Sequence, residues 1–305
     1  MTTGVVLSPN TDTTNCVDDI IAQAKMAHGR GVRQVWLAQQ LDYDAITLAA
    51  LIGAAVPGLG VGTSVVPINP RHPLVVASLA QTAQAASHGA FSLGLGLGAH
   101  SIEQDTFGIS PANTIRRLRE HLTVLRSVLI DGSVDFRGQE ITASPGWPVR
   151  VAGGVPISIY VAAMGPKALQ VSGELADGTM PYLAGPRTLE DFIVPTITRA
   201  AADVGRPRPR ILAAVPVLVT GDAAAGQAEA ASQLAFYDRI PSYQKVIARE
   251  GVSGAADLAL VGTHDAVIHQ LGMYRDAGAT DLILSPLRRN DEAALQAVWD
   301  VAAAL

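Results

Sequence analysis

Two short runs of small residues, each leading into a basic group, carry most of the chemistry that this 305-residue chain can offer. The first is Pro57-Gly-Leu-Gly-Val-Gly-Thr-Ser-Val-Val-Pro67, followed by Arg71-His-Pro73. Thr63 and Ser64 bring hydroxyls to the end of an apolar stretch. Pro67, Pro70 and Pro73 prevent the next residues from continuing as strand or helix, so a shaped loop opens a pocket there. The second run is Met164-Gly-Pro-Lys167, in which proline suits the first position of a helix. Exposed amides in that first turn, with Lys167 beside them, would attract a phosphate; the same residues also make an ordinary turn between strand and helix. Spacing alone leaves both readings open.

The remaining reactive residues exclude more than they suggest. Cys16 is the only cysteine, so neither an intrachain disulfide nor a thiolate metal cluster can form. His100, Glu103 and Asp105 lie close together, but no histidine or carboxylate pattern has convincing ligand spacing, and no metal is expected. No serine sits in a Gly-x-Ser-x-Gly elbow. Gly94-Leu-Gly-Leu-Gly98 lacks the dinucleotide-binding spacing; Gly94 and Gly96 instead make room in a crowded interior, while Gly98 turns the chain or lets a ligand approach. His28, His88, His121, His264 and His269 fall in or beside helical segments and read as surface or packing residues. Only His72 and His100 fall at strand tips.

These residues need a scaffold, and its pattern is regular. Gly4–Ser8, Val32–Ala38, Leu59–Val66, Phe91–Leu97, Ile157–Ala163, Gly178–Leu183, Ile211–Val219 and Asp281–Ser285 read as short buried strands, each followed by a helical segment. Such an alternation predicts an α/β fold, a (β/α)₈ TIM barrel over residues 1–305 as one domain. Two insertions break the period: 132–156 before strand 5, with a hairpin around Val134–Ile141, and 222–263 after strand 7. Phe236, Tyr237, Ile240, Tyr243 and Val246 give the second an apolar face, expected over the barrel mouth or against another subunit. Because active sites of such barrels sit at the strand C-termini, the candidates are Gln39, Gln40, Asp42, Tyr43, Ser64, His72, Gly98, His100, Glu103, Asp105, Ala163, Met164, Gly165, Tyr182, Ser285 and Arg288.

Composition agrees with a two-sided core, with 49% hydrophobic and 16% charged residues. A net charge of −5 offers no footprint for nucleic acid or an anionic membrane, so a small-molecule substrate is favoured. No basic and apolar leader opens the chain, and prolines and glycines divide the uncharged stretch 45–70, so a cytoplasmic location is expected.

Six segments taken together resemble the bacterial-luciferase-like family, specifically its coenzyme F420-dependent oxidoreductase branch: Gln34-Val-Trp-Leu-Ala38, Leu59-Gly-Val-Gly-Thr-Ser-Val-Val-Pro67, Arg71-His-Pro73, Phe91-Ser-Leu-Gly-Leu-Gly-Leu-Gly98, Ala162-Ala-Met-Gly-Pro-Lys-Ala-Leu169 and Gly173-Glu-Leu-Ala-Asp-Gly178. The resemblance implies a flavin or deazaflavin across the strand C-termini and a non-prolyl cis peptide bulging from strand 3, at Ser64–Val65. By the same match, Ser64 and Val65 brace the ring, Met164, Gly165, Pro166 and Lys167 border the phosphate, and Gly98 and His100 line the tail or the pocket mouth. Several relatives using deazaflavin carry Asp-His at the tip of strand 2, whereas this chain has Gln39-Gln40, which can orient a ring or substrate but cannot exchange a proton near neutral pH. His100 is the replacement expected for that catalytic role, with Tyr43, His72 and Glu103 behind it. The resemblance thus implies hydride transfer between reduced F420 and a small organic substrate, in a homodimer. FMN-dependent monooxygenation is the alternative within the family, and a noncatalytic flavin-binding protein the alternative outside it.

Overall fold

The structure, a computed structural model, describes residues 2–98, 100–109 and 113–305, apart from the side chains of His100, Ser101 and Ile102. Eight parallel strands close into a ring: β1 (Thr2–Leu7), β2 (Gln34–Leu37), β3 (Gly60–Thr63), β4 (Phe91–Gly96), β5 (Ser158–Ala162), β6 (Gly178–Thr179), β7 (Arg210–Val219) and β8 (Asp281–Pro286). Closure follows from β1 pairing with both β2 and β8, and β7 with both β6 and β8. The principal covering helices are α1 (Cys16–Gly29), α2 (Ala45–Ala55), α3 (Pro73–Ala86), α4 (Thr114–Asp131), α5 (Pro166–Leu175), α6 (Val194–Ala202), α7 (His264–Asp276) and α8 (Glu292–Ala303). The strand-then-helix period read from sequence is the architecture observed.

Each strand is buried on two sides. Outward residues such as Val5, Val35, Leu37, Val61 and Leu93 pack under the helices, while Val6, Trp36, Tyr160, Met180, Leu212, Ala214 and Ile283 fill the barrel interior. Trp36 dominates that interior at 1% exposure, which dictates what can face it. A Cβ on Gly62 would lie 2.4 Å from the Trp36 ring. The interior is therefore a packed floor, not a pore, and ligands are confined to the strand ends above it.

Strand 3 departs from the continuous Leu59–Val66 expected. After the Gly62–Ser92 pair the ladder resumes at Val66–Leu95, so three residues on one strand face two on the other, a β-bulge. The Ser64–Val65 peptide within it is cis. Strand 6 is shorter than predicted and continues only as an isolated bridge from Tyr182 to Ala214. Residues 100–107 form an unanticipated helix. The hairpin pairs Phe136–Arg137 with Thr142–Ala143, and the Glu120 carboxylate of α4 anchors its turn by accepting from the N–H groups of Gln139, Glu140 and Ile141 at 2.8–3.0 Å. The second insertion holds helices Ala223–Leu234 and Pro241–Glu250 and a short strand, Leu260–Gly262, that extends the sheet beside β7.

Candidate active site at the barrel mouth

The bulge is built from its hydrogen bonds. Thr63, expected to offer its hydroxyl at the strand tip, is fully buried and uses it across the gap, accepting from Gly94 N–H at 2.9 Å and donating to Gly94 O at 2.8 Å. The Ser64 N–H donates to Leu37 O at 2.8 Å, and the Gln39 N–H donates to Val65 O at 3.3 Å. Gly96 leaves the space that Val65 occupies, since a Cβ there would meet Val65 Cγ2 at 2.6 Å. The result is a half-exposed Ser64–Val65 ledge, with Val65 lying on the interior cluster.

Gln39 braces this ledge rather than presenting its amide to the mouth. Its Nε2 donates to the carbonyls of Gln40 and Tyr43, and its Oε1 accepts from Ala45 N–H at 3.1 Å and Arg71 Nη2 at 3.0 Å. Both ends of the amide are thus used within residues 39–45 and Arg71, which also pairs with Asp44. The side chain of Gln40 is exposed. His72 is similarly committed: it caps α3 by accepting from Leu74 N–H, while its other ring nitrogen lies 2.9 Å from Thr142 O. Glu103 is 5% exposed and accepts from Asn69 Nδ2; Asn69 in turn accepts from Arg117, which pairs with Glu140. Gly98, at φ +76°, passes beneath Glu103, where any Cβ would collide with the carboxylate. The proposed acid or base His100 has a side chain outside the described residues.

Across the mouth, α5 starts without a side-chain cap. Asn15, Asp44, His72, Thr263 and Asp291 cap α1, α2, α3, α7 and α8, whereas Gly165 caps α5 with nothing. The first-turn amides of Lys167 and Ala168 consequently remain as donors, and Pro166 has none to lose. Gly165, Pro166 and Lys167 are exposed, Met164 is half-buried against the core, and a Cβ on Gly165 would meet nothing within 4 Å. The uncapped amides, open space and lysine fit a phosphate, and the ledge above a packed floor fits a flat ring. Sequence reasoning singled out these two stretches because each interrupts an apolar run with small residues. It missed Asn69 and Arg71 as braces, since only their partners reveal what they do.

The third wall comes from β6, β8 and the second insertion. Tyr182 lies at the top of the interior cluster and meets the ring of Tyr237 at 5.4 Å and that of Tyr243 at 6.5 Å. Burial raises the phenol pKa values of Tyr182, Tyr237 and Tyr243 above the ordinary value, so these hydroxyls remain protonated at neutral pH. The insertion therefore packs over the mouth, with Val246 buried and Phe236 51% exposed.

A closed barrel with a bulged third strand, an uncapped helix after the fifth and an insertion over the mouth defines a class of ligand-binding (β/α)₈ proteins. The profile of the luciferase-like monooxygenase family matches residues 1–281, and the chain belongs to that family. It is 28% identical to the 5,10-methylenetetrahydromethanopterin reductase of Methanolobus tindarius over 86% of this chain and 78% of the relative. Among solved structures, the coenzyme F420 dependent tetrahydromethanopterin reductase of Methanopyrus kandleri superposes with a TM-score of 0.81 at 20% identity, covering 98% of this chain and 97% of that one. The oxygenating constituent of 3,6-diketocamphane monooxygenase from Pseudomonas putida, in complex with FMN, superposes at 0.78 and 16% identity over 100% and 98%. No helix among the described residues is long and apolar enough to cross a membrane.

Proposed function

We propose that this protein is an F420-dependent oxidoreductase that transfers a hydride between the reduced deazaflavin and a small organic substrate. The observation that carries this reading is the pairing of an uncapped α5 start with the Ser64–Val65 ledge, in a chain whose Methanolobus tindarius relative is a reductase. The bound cofactor supplies the hydride chemistry. Lys167 and the amides of Lys167 and Ala168 hold its phosphate, with Gly165 and Pro166 shaping the approach and Met164 packed below. Ser64 and Val65 support the ring from beneath, and Gln39, with Arg71 and Asp44, keeps the ledge at fixed height. Gln40 and Gly98 border the opening. Proton exchange is assigned to His100 by its position after β4.

FMN-dependent monooxygenation is the second reading, favoured by the FMN complex of a structural neighbour that superposes almost as well as the reductase. Titrating the protein with F420 and with FMN separates the two, and Trp36, buried directly under the mouth, supplies the fluorescence signal. F420 is expected to bind more tightly and to support substrate reduction without oxygen consumption. Tight FMN binding with none for F420 overturns the first reading. His100→Ala is expected to preserve F420 affinity and slow turnover.

A further inference from the structure

The packed floor of the barrel leaves two apolar side chains showing at the mouth. Among the described residues, Val65 and Tyr182 are the partly exposed side chains that pack on the interior cluster. Val65 belongs to the ledge after β3, and Tyr182 follows β6, three positions further round the ring, where a bridge to Ala214 pins it to β7. A cofactor ring seated on Val65 therefore has Tyr182 beside it on the same floor. Hydride transfer needs the donor and acceptor atoms within about 3–3.5 Å, so the substrate must share that floor. Tyr182 is the surface left for it.

Tyr182 is also the inner end of a continuous aromatic strip. Its ring meets Tyr237 at 5.4 Å and Tyr243 at 6.5 Å, Tyr237 meets Tyr243 at 4.8 Å, and Phe236 meets Tyr237 at 5.7 Å, every pair edge-to-face. The three tyrosines pack on a second buried cluster, Leu183, Leu218, Leu234 and Leu287, so Tyr182 joins the barrel interior to the insertion. The strip thus runs from the floor to Phe236, which is 51% exposed. No charge is built into it. Among the described residues the cation held over a ring is Arg249, on Phe192, and none lies over these four rings. Arg288, a site candidate on sequence grounds, is neutralised by Glu229, with Nη2 at 2.8 Å from Oε2, and Arg289 stands exposed. An ion pressed against this strip would lose water without gaining a partner, whereas an apolar ring gains both burial and aromatic contact.

We infer, on the oxidoreductase reading above, that the substrate is an uncharged hydride acceptor bearing an apolar ring, which packs on Tyr182 and Tyr237 beside the cofactor. Calorimetric titration of protein loaded with oxidised F420, which has no hydride to give, tests this with cyclopentanone, cyclohexanone, cycloheptanone and cyclooctanone, and with cyclohexanecarboxylate as the charged counterpart. The ketones should bind more tightly with each added methylene, by up to about fourfold per step, and the carboxylate more weakly than cyclohexanone. Tyr237→Ala should cut the gain to below about twofold per step. Phe236→Ser, at an exposed side chain, should reduce it for the larger rings alone, with Tm and F420 affinity at their wild-type values. No ketone binding, affinity independent of ring size, tighter binding of the carboxylate than of cyclohexanone, or a full gain per methylene in Tyr237→Ala, or in Phe236→Ser should Tyr237→Ala fail to fold, overturns the inference. Failure of the cofactor reading looks different: F420 does not bind, while the dependence on ring size and on Tyr237 persists in FMN-loaded protein.

Discussion

Replacing Gly165 with Asp separates cofactor binding from folding, because the two respond in opposite directions. The backbone at Gly165 is extended, at φ −97° and ψ 154°, a conformation open to any residue, and its Cβ would enter open space. Aspartate there is a better N-cap than glycine for an α5 with no side-chain cap, so the variant should be more stable by a few tenths of a kcal/mol. The same carboxylate would take the first-turn amides assigned to the phosphate and stand beside it. Two unit charges about 5 Å apart repel by about 0.8 kcal/mol at the dielectric of water and about 3.3 kcal/mol at an effective value of about 20. Affinity for F420 should therefore fall between about 4-fold and about 250-fold. Gly165→Asn supplies the cap without the charge and should lose less. Tm by differential scanning fluorimetry and Kd by tryptophan quenching measure the two effects, and added salt should narrow the gap between Asp and Asn. A stabilised Gly165→Asp protein with wild-type F420 affinity would refute the phosphate assignment.

Gly94→Ala places a methyl 1.9 Å from Thr63 O, a main-chain atom that cannot yield, and should destabilise the fold by about 3 kcal/mol in urea denaturation. Gln39→Ala leaves the Ala45 N–H without its oxygen acceptor and Arg71 with only Asp44 as a partner, and should reduce stability by about 1–3 kcal/mol and raise the Kd for F420; an unchanged Kd would mean that the 39–45 loop does not set the ledge. Burial, with His72 and Arg117 nearby, lowers the His121 pKa from 6.5 to about 3, so the folded protein resists a proton that the unfolded chain accepts. Stability should then fall as pH drops from about 6.5 towards 3, by about 1 kcal/mol per unit, and His121→Leu should flatten that part of the Tm–pH curve. Glu120 adds a second loss at lower pH: burial alone would raise its pKa, but three backbone N–H donors outweigh that and hold it below 4.5. Its contribution is present above 4.5 and disappears as the folded carboxyl protonates, so Glu120→Gln should remove the acid-dependent loosening of the hairpin seen by hydrogen exchange.

The barrel was legible in the sequence because its signals are local. A strand buried on both faces must be a short apolar run, the helix covering it must carry a 3.6-residue stripe, and eight repetitions of that pair leave few alternatives. The two stretches proposed to face the ligand stood out for the same reason, since small residues and prolines at strand ends mark where the backbone leaves the sheet. The task of each polar residue there was not. Thr63 and Ser64 are adjacent hydroxyls, yet one is spent on Gly94 while the other stands half-exposed. Gln39 has the composition of a ring-orienting amide, but its partners are loop carbonyls, Ala45 and Arg71. Arg288 and Arg289 are indistinguishable in the chain until Glu229 pairs with one of them. Tyr182, Tyr237 and Tyr243 come together only because the insertion folds back over the mouth. Fold class comes from burial, which each segment expresses by itself; the state of a polar group depends on which distant partner satisfies it, and the closing of the ring selects that partner.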